Sequence, residues 1–190
     1  MSSNYTVVLD ANVLYPSPLR SFLMYLAATG EFRARWTDHI HDEWVRTALA
    51  KHPELDPAKL QRTRELMNLH VPGCLVTGYE PLIESIKLPD PDDRHVVAAA
   101  VKTRAEAIVT FNLKDFPTEA LEPLDVMTIH PDDFIADLIG LNAAAVIEAA
   151  QRHRAEMTKP AYSVSEYLVL LQKQKLPETV SLLRQYERFL

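Results

Sequence analysis

YTVVLD, residues 5–10, reads as a strand that ends in an acid. Its β-branched and apolar residues run without alternation, the pattern of a parallel strand buried on both faces. Working outward, Arg33–Trp36, Ala107–Phe111 and Val126–Ile129 are further strand candidates, with Leu75–Thr77 a possible short one. Helical patterns separate them. Pro18 suits a first turn and Gly30 a stop, with Phe22, Leu23, Leu26 and Ala27 on one face. Thr37 or Asp38 caps a second helix carrying Ile40, Trp44, Val45, Ala48 and Leu49. Pro57 opens a third, through Leu60, Leu66 and Leu69, which closes before Pro72 and Gly73. Asp92 or Asp93 begins a fourth, with Val96, Val97, Ala99 and Ala100. Alternation of this kind predicts an α/β fold: a central, mostly parallel sheet of four or five strands flanked by helices.

After Ile129 the strand candidates stop. Pro131–Ile139, Asn142–Met157, Ser163–Gln174 and Glu178–Leu190 all read as helices, with Asn142 a good N-cap and Ser163 with Glu166 a capping box. The expected organisation is an α/β unit over residues 1–130 and an α-helical C-terminal extension over 131–190. Leu168, Leu170, Leu171, Leu182 and Leu183 make the extension too apolar for a free linker, so it should pack.

With 190 residues, 47% hydrophobic and 24% charged, the chain can bury an ordinary core. Cys74 is the single cysteine, so no intrachain disulfide forms. No basic stretch leads into a leader-like apolar segment, and no apolar run approaches the roughly 20 residues that span a bilayer. A cytoplasmic location without membrane contact is therefore expected. The net charge of −6 argues against a passive nucleic-acid-binding module. It argues less against a nuclease, because bound divalent cations reverse the sign of the local field. Arg33 and Arg35, Lys59, Arg62 and Arg64, and Lys102, Arg104 and Lys114 form basic clusters, read as solvated helix faces.

Four acids stand out for where they sit. Asp10 follows the first strand, Glu43 lies in the early turns of its helix, Asp93 starts a helix, and Asp115 follows the strand ending at Phe111. Groups just beyond the carboxyl ends of parallel strands converge on one crevice, which would hold Asp10 and Asp115, with Asp93 brought beside them. Each acid also has a plainer reading. Asp93 works as a helix cap, Asp90, Asp92 and Asp93 in PDPDD as a solvated loop, and Glu43 as a first-turn acid favoured by the helix dipole. If the carboxylates do converge, hard oxygen donors of several negative charges suit Mg²⁺ or Mn²⁺. Such ions activate water and neutralise phosphate charge, the chemistry of phosphodiester hydrolysis. No spacing among the seven histidines and Cys74 matches a zinc site. His39 and His95 read as structural or solvent-facing, and Trp36 and Trp44 as core.

The residues around those acids resemble the PIN-domain family. VVLDANVL at 7–14 is similar to the family's opening strand and first metal-binding Asp, with Asn12 two positions on. HDEWVR at 41–46 resembles the segment that places the family's Glu, and DDRHVVAAA at 92–100 its third motif. VTFNLKDF at 109–116 resembles the Thr-x-Asn-x-x-Asp-Phe signature of VapC-type toxins. The resemblance covers about two-thirds of the chain and implies metal-binding and catalytic roles for Asp10, Glu43, Asp93 and Asp115. It implies supporting roles for Asn12, Thr110 and Asn112. Asp92 adjoins Asp93; spacing to the Ala run favours Asp93. The extension resembles that of a longer VapC-like subgroup. The implied function is a Mg²⁺- or Mn²⁺-dependent endoribonuclease, the toxin of a type II toxin–antitoxin system, homodimeric and held by a VapB-like antitoxin. The alternatives are an RNA-processing or flap-type nuclease with the same site, and a non-catalytic PIN scaffold that binds RNA or protein.

Overall fold

The computed structural model describes residues 5–190; the reading of Met1–Asn4 as free of a leader lies outside the described residues. β1 (Thr6–Leu9) has every residue buried, as its unalternated sequence requires. It pairs in parallel with β2 (Arg33–Arg35) on one side and β3 (Ala107–Val109) on the other, and β3 pairs in parallel with β4 (Met127–Ile129). The sheet has four strands, all parallel, in the order β2-β1-β3-β4. The Leu75–Thr77 candidate is not a strand. It contributes one isolated parallel bridge from Leu75 to Trp36, in which the Trp36 amide donates to the Cys74 carbonyl and the Val76 amide to the Trp36 carbonyl.

Helices cover both faces. α1 (Ala11–Leu14) is a single turn that follows Asp10 directly. α2 (Ser17–Ala28) ends where Gly30 takes a φ of +79°. α3 (Asp38–Lys51) is capped by Thr37, whose side chain accepts from the Ile40 amide. α4 (Pro57–His70) is capped by Asp56 and tied to α3 by Arg64, which bonds Asp42 at 2.6 Å and Asp38 at 3.1 Å. A 3₁₀ turn over Pro91–Asp93 leads into α5 (Arg94–Thr103), whose Val96–Ala100 run is wholly buried. α6 (Thr118–Leu121) precedes β4. Trp36 and Trp44 lie in the core, their indole N–H groups donating to Asn68 at 2.8 Å and to His41 at 2.9 Å.

The extension is mostly helical: residues 157–162 form a turn with an antiparallel bridge from Thr158 to Ala161, and the helix expected over Glu178–Leu190 stops at Arg184, followed by a 3₁₀ turn over Glu187–Phe189. α7 (Pro131–Glu156) is broken at Asn142, whose φ of −151° and ψ of 80° divide it where two helices were expected. There the Asn142 side chain accepts from the Ala145 amide at 3.2 Å and donates to Glu31 at 2.7 Å, fixing the bend to the loop before β2. α8 (Val164–Lys173) carries the expected capping box, and α9 (Pro177–Arg184) follows after a three-residue turn. α7 packs on α2, and α9 packs on α7. The extension shares one continuous hydrophobic cluster with the sheet region. Among the described residues no helix is long and apolar enough to cross a membrane.

Candidate active site

Strand order reverses between β1 and β3: from β1 the chain moves one way to β2, then returns to place β3 and β4 on the other side. A crevice opens at such a switch point, beyond the carboxyl ends of the two strands. The residues that leave those ends are Asp10 from β1 and Thr110 from β3. A cleft of about 550 Å³ lies there, with Asp10, Asn12, Glu43, Asp93 and Asn112 in its lining.

Asp10 is only 5% exposed and is held by three donors. The Ala11 amide donates to Oδ1 at 2.6 Å. Asn12 Nδ2 at 2.6 Å and the Thr110 hydroxyl at 2.7 Å donate to Oδ2. Asn12 Nδ2 also donates to Thr110 Oγ1 at 2.8 Å, and the Asn112 amide donates to the same hydroxyl at 3.0 Å. The Phe111 amide closes the ring by donating to Asn12 Oδ1 at 3.0 Å. Every polar atom of the Thr110 side chain is thereby used, and the carboxylate is locked across the β1–β3 seam. Behind it, the Arg20 guanidinium donates to the Leu14 carbonyl at 2.6 Å and lies over Trp44, bracing the end of α1.

Burial pushes the Asp10 carboxyl up to about 6, against the lowering effect of its hydrogen bonds. Burial, then repulsion from Asp10, Asp90, Asp115 and Glu43, pushes Asp93 up to about 7. These acids sit within one another's field although they come from four parts of the sequence. Asp93 is half-buried while Asp92 is exposed, so the register preferred from sequence is also the one that turns into the cluster. Asp115 is set back from the cleft lining. It accepts a short hydrogen bond from Asn112 Nδ2, and Asn112 itself reaches the cleft. The oxygen-rich, mutually repelling donor set fits a hard divalent cation, because a cation relieves the repulsion that raises Asp93.

Two histidines belong to the surroundings, which sequence spacing does not reveal. His95 is 2% exposed, and its Nε2 lies 3.1 Å from Glu43 Oε1. With Nε2–H as donor, the imidazole fixes the Glu43 carboxylate, while Nδ1 has no hydrogen-bond partner. His39 stacks on His95 with ring centroids 3.8 Å apart. His39, Glu43 and His95 each offer a ligand atom within 4.8 Å of the others. α3 and α5 supply the group, with His95 52 residues from Glu43 and 56 from His39, so it carries no local spacing of the zinc-site kind and only packing brings it together. The one sequence signal was that His95 shares the buried face of α5 with Ala98 and Ala99.

The basic clusters seen in the sequence are not in the cleft lining. Arg62 pairs with Glu65, Arg64 ties α3 to α4, and Arg35 bonds the Gly73 carbonyl. The cations of the cleft are Arg46 and Lys51 from α3, and Lys173 and Lys175 from the extension.

Comparison with known proteins agrees in outline. Residues 6–114, more than half of the chain, match the family model described as PIN domain, and residues 131–185 match one described as VapC50 C-terminal domain. A curated relative from Mycobacterium tuberculosis (strain ATCC 25618 / H37Rv), named "Putative ribonuclease VapC50", is 52% identical over 64 residues. That match spans 34% of this chain and 37% of the relative. No solved structure matches the chain.

Proposed function

The chain belongs to the PIN-domain family, and on that premise we propose that it is a divalent-metal-dependent endoribonuclease, the toxin of a VapBC-type toxin–antitoxin system. The observation that carries the reading is the set of mutually repelling acids, Asp10, Glu43, Asp93 and Asp115, gathered at the β1–β3 switch point. Asp10 and Asp93 would hold Mg²⁺ or Mn²⁺ directly. Glu43 would complete that shell or position the attacking water, and Asp115 would act at the cluster's edge through Asn112. A divalent ion bound there supplies Lewis-acid charge to the scissile phosphate and to the water that attacks it.

The chain's own groups do the positioning. Asn12 and Thr110 keep Asp10 Oδ2 engaged, so that the carboxylate enters the reaction already oriented. His95 holds Glu43 in the same sense. The sheet-and-helix unit over 1–130 would be the nuclease domain and 131–190 its extension. A cytoplasmic location, a homodimeric state and a VapB-like partner complete the proposal. They rest on the family and on the name of the relative.

The test compares cleavage of RNA by the wild type and by Asp10→Asn, each with and without Mg²⁺. Activity is expected only for the wild type with metal. Equal cleavage by both proteins would overturn the assignment, and absence of cleavage together with absence of Mn²⁺ binding would favour the non-catalytic scaffold.

A further inference from the structure

The C-terminal extension has no part in the acidic cluster, yet it forms one wall of the same cleft. Lys173, Gln174 and Lys175, at the end of α8 and in the turn before α9, line the cleft together with Asp10, Glu43 and Asp93. We infer that this turn is a phosphate clamp: Lys173 and Lys175 bind the backbone of the RNA strand that crosses the acidic floor, so the extension is a substrate-binding element. The inference rests on the ribonuclease reading for the identity of the strand.

Four observations support it. First, the lysines are not neutralised by an ion pair. Among the described residues neither Lys173 nor Lys175 has a carboxylate within ion-pair distance, nor do Arg46 and Lys51 of α3, which line the same cleft, Lys51 lying over the Tyr15 ring. In a chain of net charge −6, four cations without an ion pair line the cleft that also gathers Asp10, Glu43 and Asp93. That arrangement suits a polyanion bridged to bound metal.

Second, the turn is held rigidly. Asp132, buried just after β4, accepts from the Glu178 and Thr179 amides at 2.8 Å each, capping α9 from outside its own helix. Leu171 and Leu176, on either side of the turn, are fully buried. The lysine backbone is thus fixed to the carboxyl edge of the sheet, the edge that carries Asp10 and Thr110.

Third, Lys175 has a φ of +62°, in the left-handed region where glycine or asparagine is the ordinary choice. That conformation ends α8, and with Lys173 at the last turn it leaves both lysines in the cleft lining. Fourth, its Nζ lies 5.4 Å from the centre of the Phe111 ring, and the Phe111 amide belongs to the hydrogen-bonded ring around Asp10. The ammonium group therefore stands over the residue next to Thr110, within the cleft, with no anion to neutralise it.

The experiment measures binding of a short, labelled single-stranded RNA by anisotropy, with Mg²⁺ present. It uses the full chain carrying Asp10→Asn so that the probe stays intact. Each phosphate contact on single-stranded nucleic acid contributes about 0.7 to the slope of log K against log salt. Lys173→Gln with Lys175→Gln should lower the magnitude of that slope by about 1.4 and weaken binding roughly tenfold at about 0.15 M salt. Lys173→Arg with Lys175→Arg should retain both affinity and slope. Lys59→Gln with Lys87→Gln, the same charge change on exposed sites outside the cleft lining, should leave the slope unaltered.

An unchanged slope in the double Gln variant would overturn the clamp, as would absence of RNA binding by the parent protein or a loss that the Arg pair fails to restore. Metal-dependent cleavage by the wild type alongside an unchanged slope would leave the nuclease reading standing. A reduced slope in a chain that never cleaves would do the reverse.

Discussion

Replacing Asp10 by Asn is expected to stabilise the metal-free fold at neutral pH while abolishing function. Asp10 is buried, and its carboxyl is pushed from 3.8 up to about 6, so the folded protein resists ionising it. For an acid whose folded value is raised, the penalty is complete above the folded value and disappears as pH falls toward the unfolded one. The window here runs from about 6 down to 3.8. At 1.36 kcal/mol per unit, the full penalty above pH 7 is about 3 kcal/mol. Asn removes it but turns an amide N–H₂ toward one of the three donors around the position, which costs about 1 kcal/mol. The net gain is about 2 kcal/mol at pH 8, shrinking to zero near pH 4.5 and turning into a slight loss below that. Urea unfolding with a chelator present, at several pH values from 4 to 8, measures this directly through the midpoint at constant slope. Saturating Mn²⁺ should reverse the order at pH 8, since an ion at 100 times its dissociation constant adds about 2.7 kcal/mol to the wild type alone. A pH-independent difference between the two proteins, or an Asn variant less stable than the wild type at pH 8 without metal, would refute the view of Asp10 as a buried, strained carboxylate.

Two substitutions probe the groups that hold the site. Thr110→Val takes away the hydroxyl that donates to Asp10 and accepts from Asn12 and Asn112; cleavage should fall on the order of tenfold and Mn²⁺ affinity by a similar factor, read by initial rates and calorimetric titration. Retention of both would show that the ring of hydrogen bonds around Asp10 is incidental. Asp132→Ala leaves two α9 amides without an acceptor and should lower stability by about 1–3 kcal/mol, measured by denaturant unfolding. Loss of RNA affinity in that variant, with metal binding intact, is the outcome that fits a turn fixed in place by this contact.

YTVVLD alone determined a doubly buried parallel strand that delivers Asp10 to a sheet edge, because an unbroken apolar run has no polar face to offer solvent. The caps at Thr37, Asn142 and Ser163 were equally local, since each is a side chain bonding amides within three residues. Asp10, Glu43, Asp93 and Asp115 were legible as candidates from position and motif. Their mutual repulsion was not, because it depends on distances across β1, α3, α5 and the turn after β3. His95 against Glu43 and the lysines of the α8–α9 turn beside Asp10 belong wholly to tertiary structure. They lie 52 residues from Glu43 and more than 160 from Asp10, and no periodicity or spacing encodes a contact made only when separate helices dock on the same edge of a sheet.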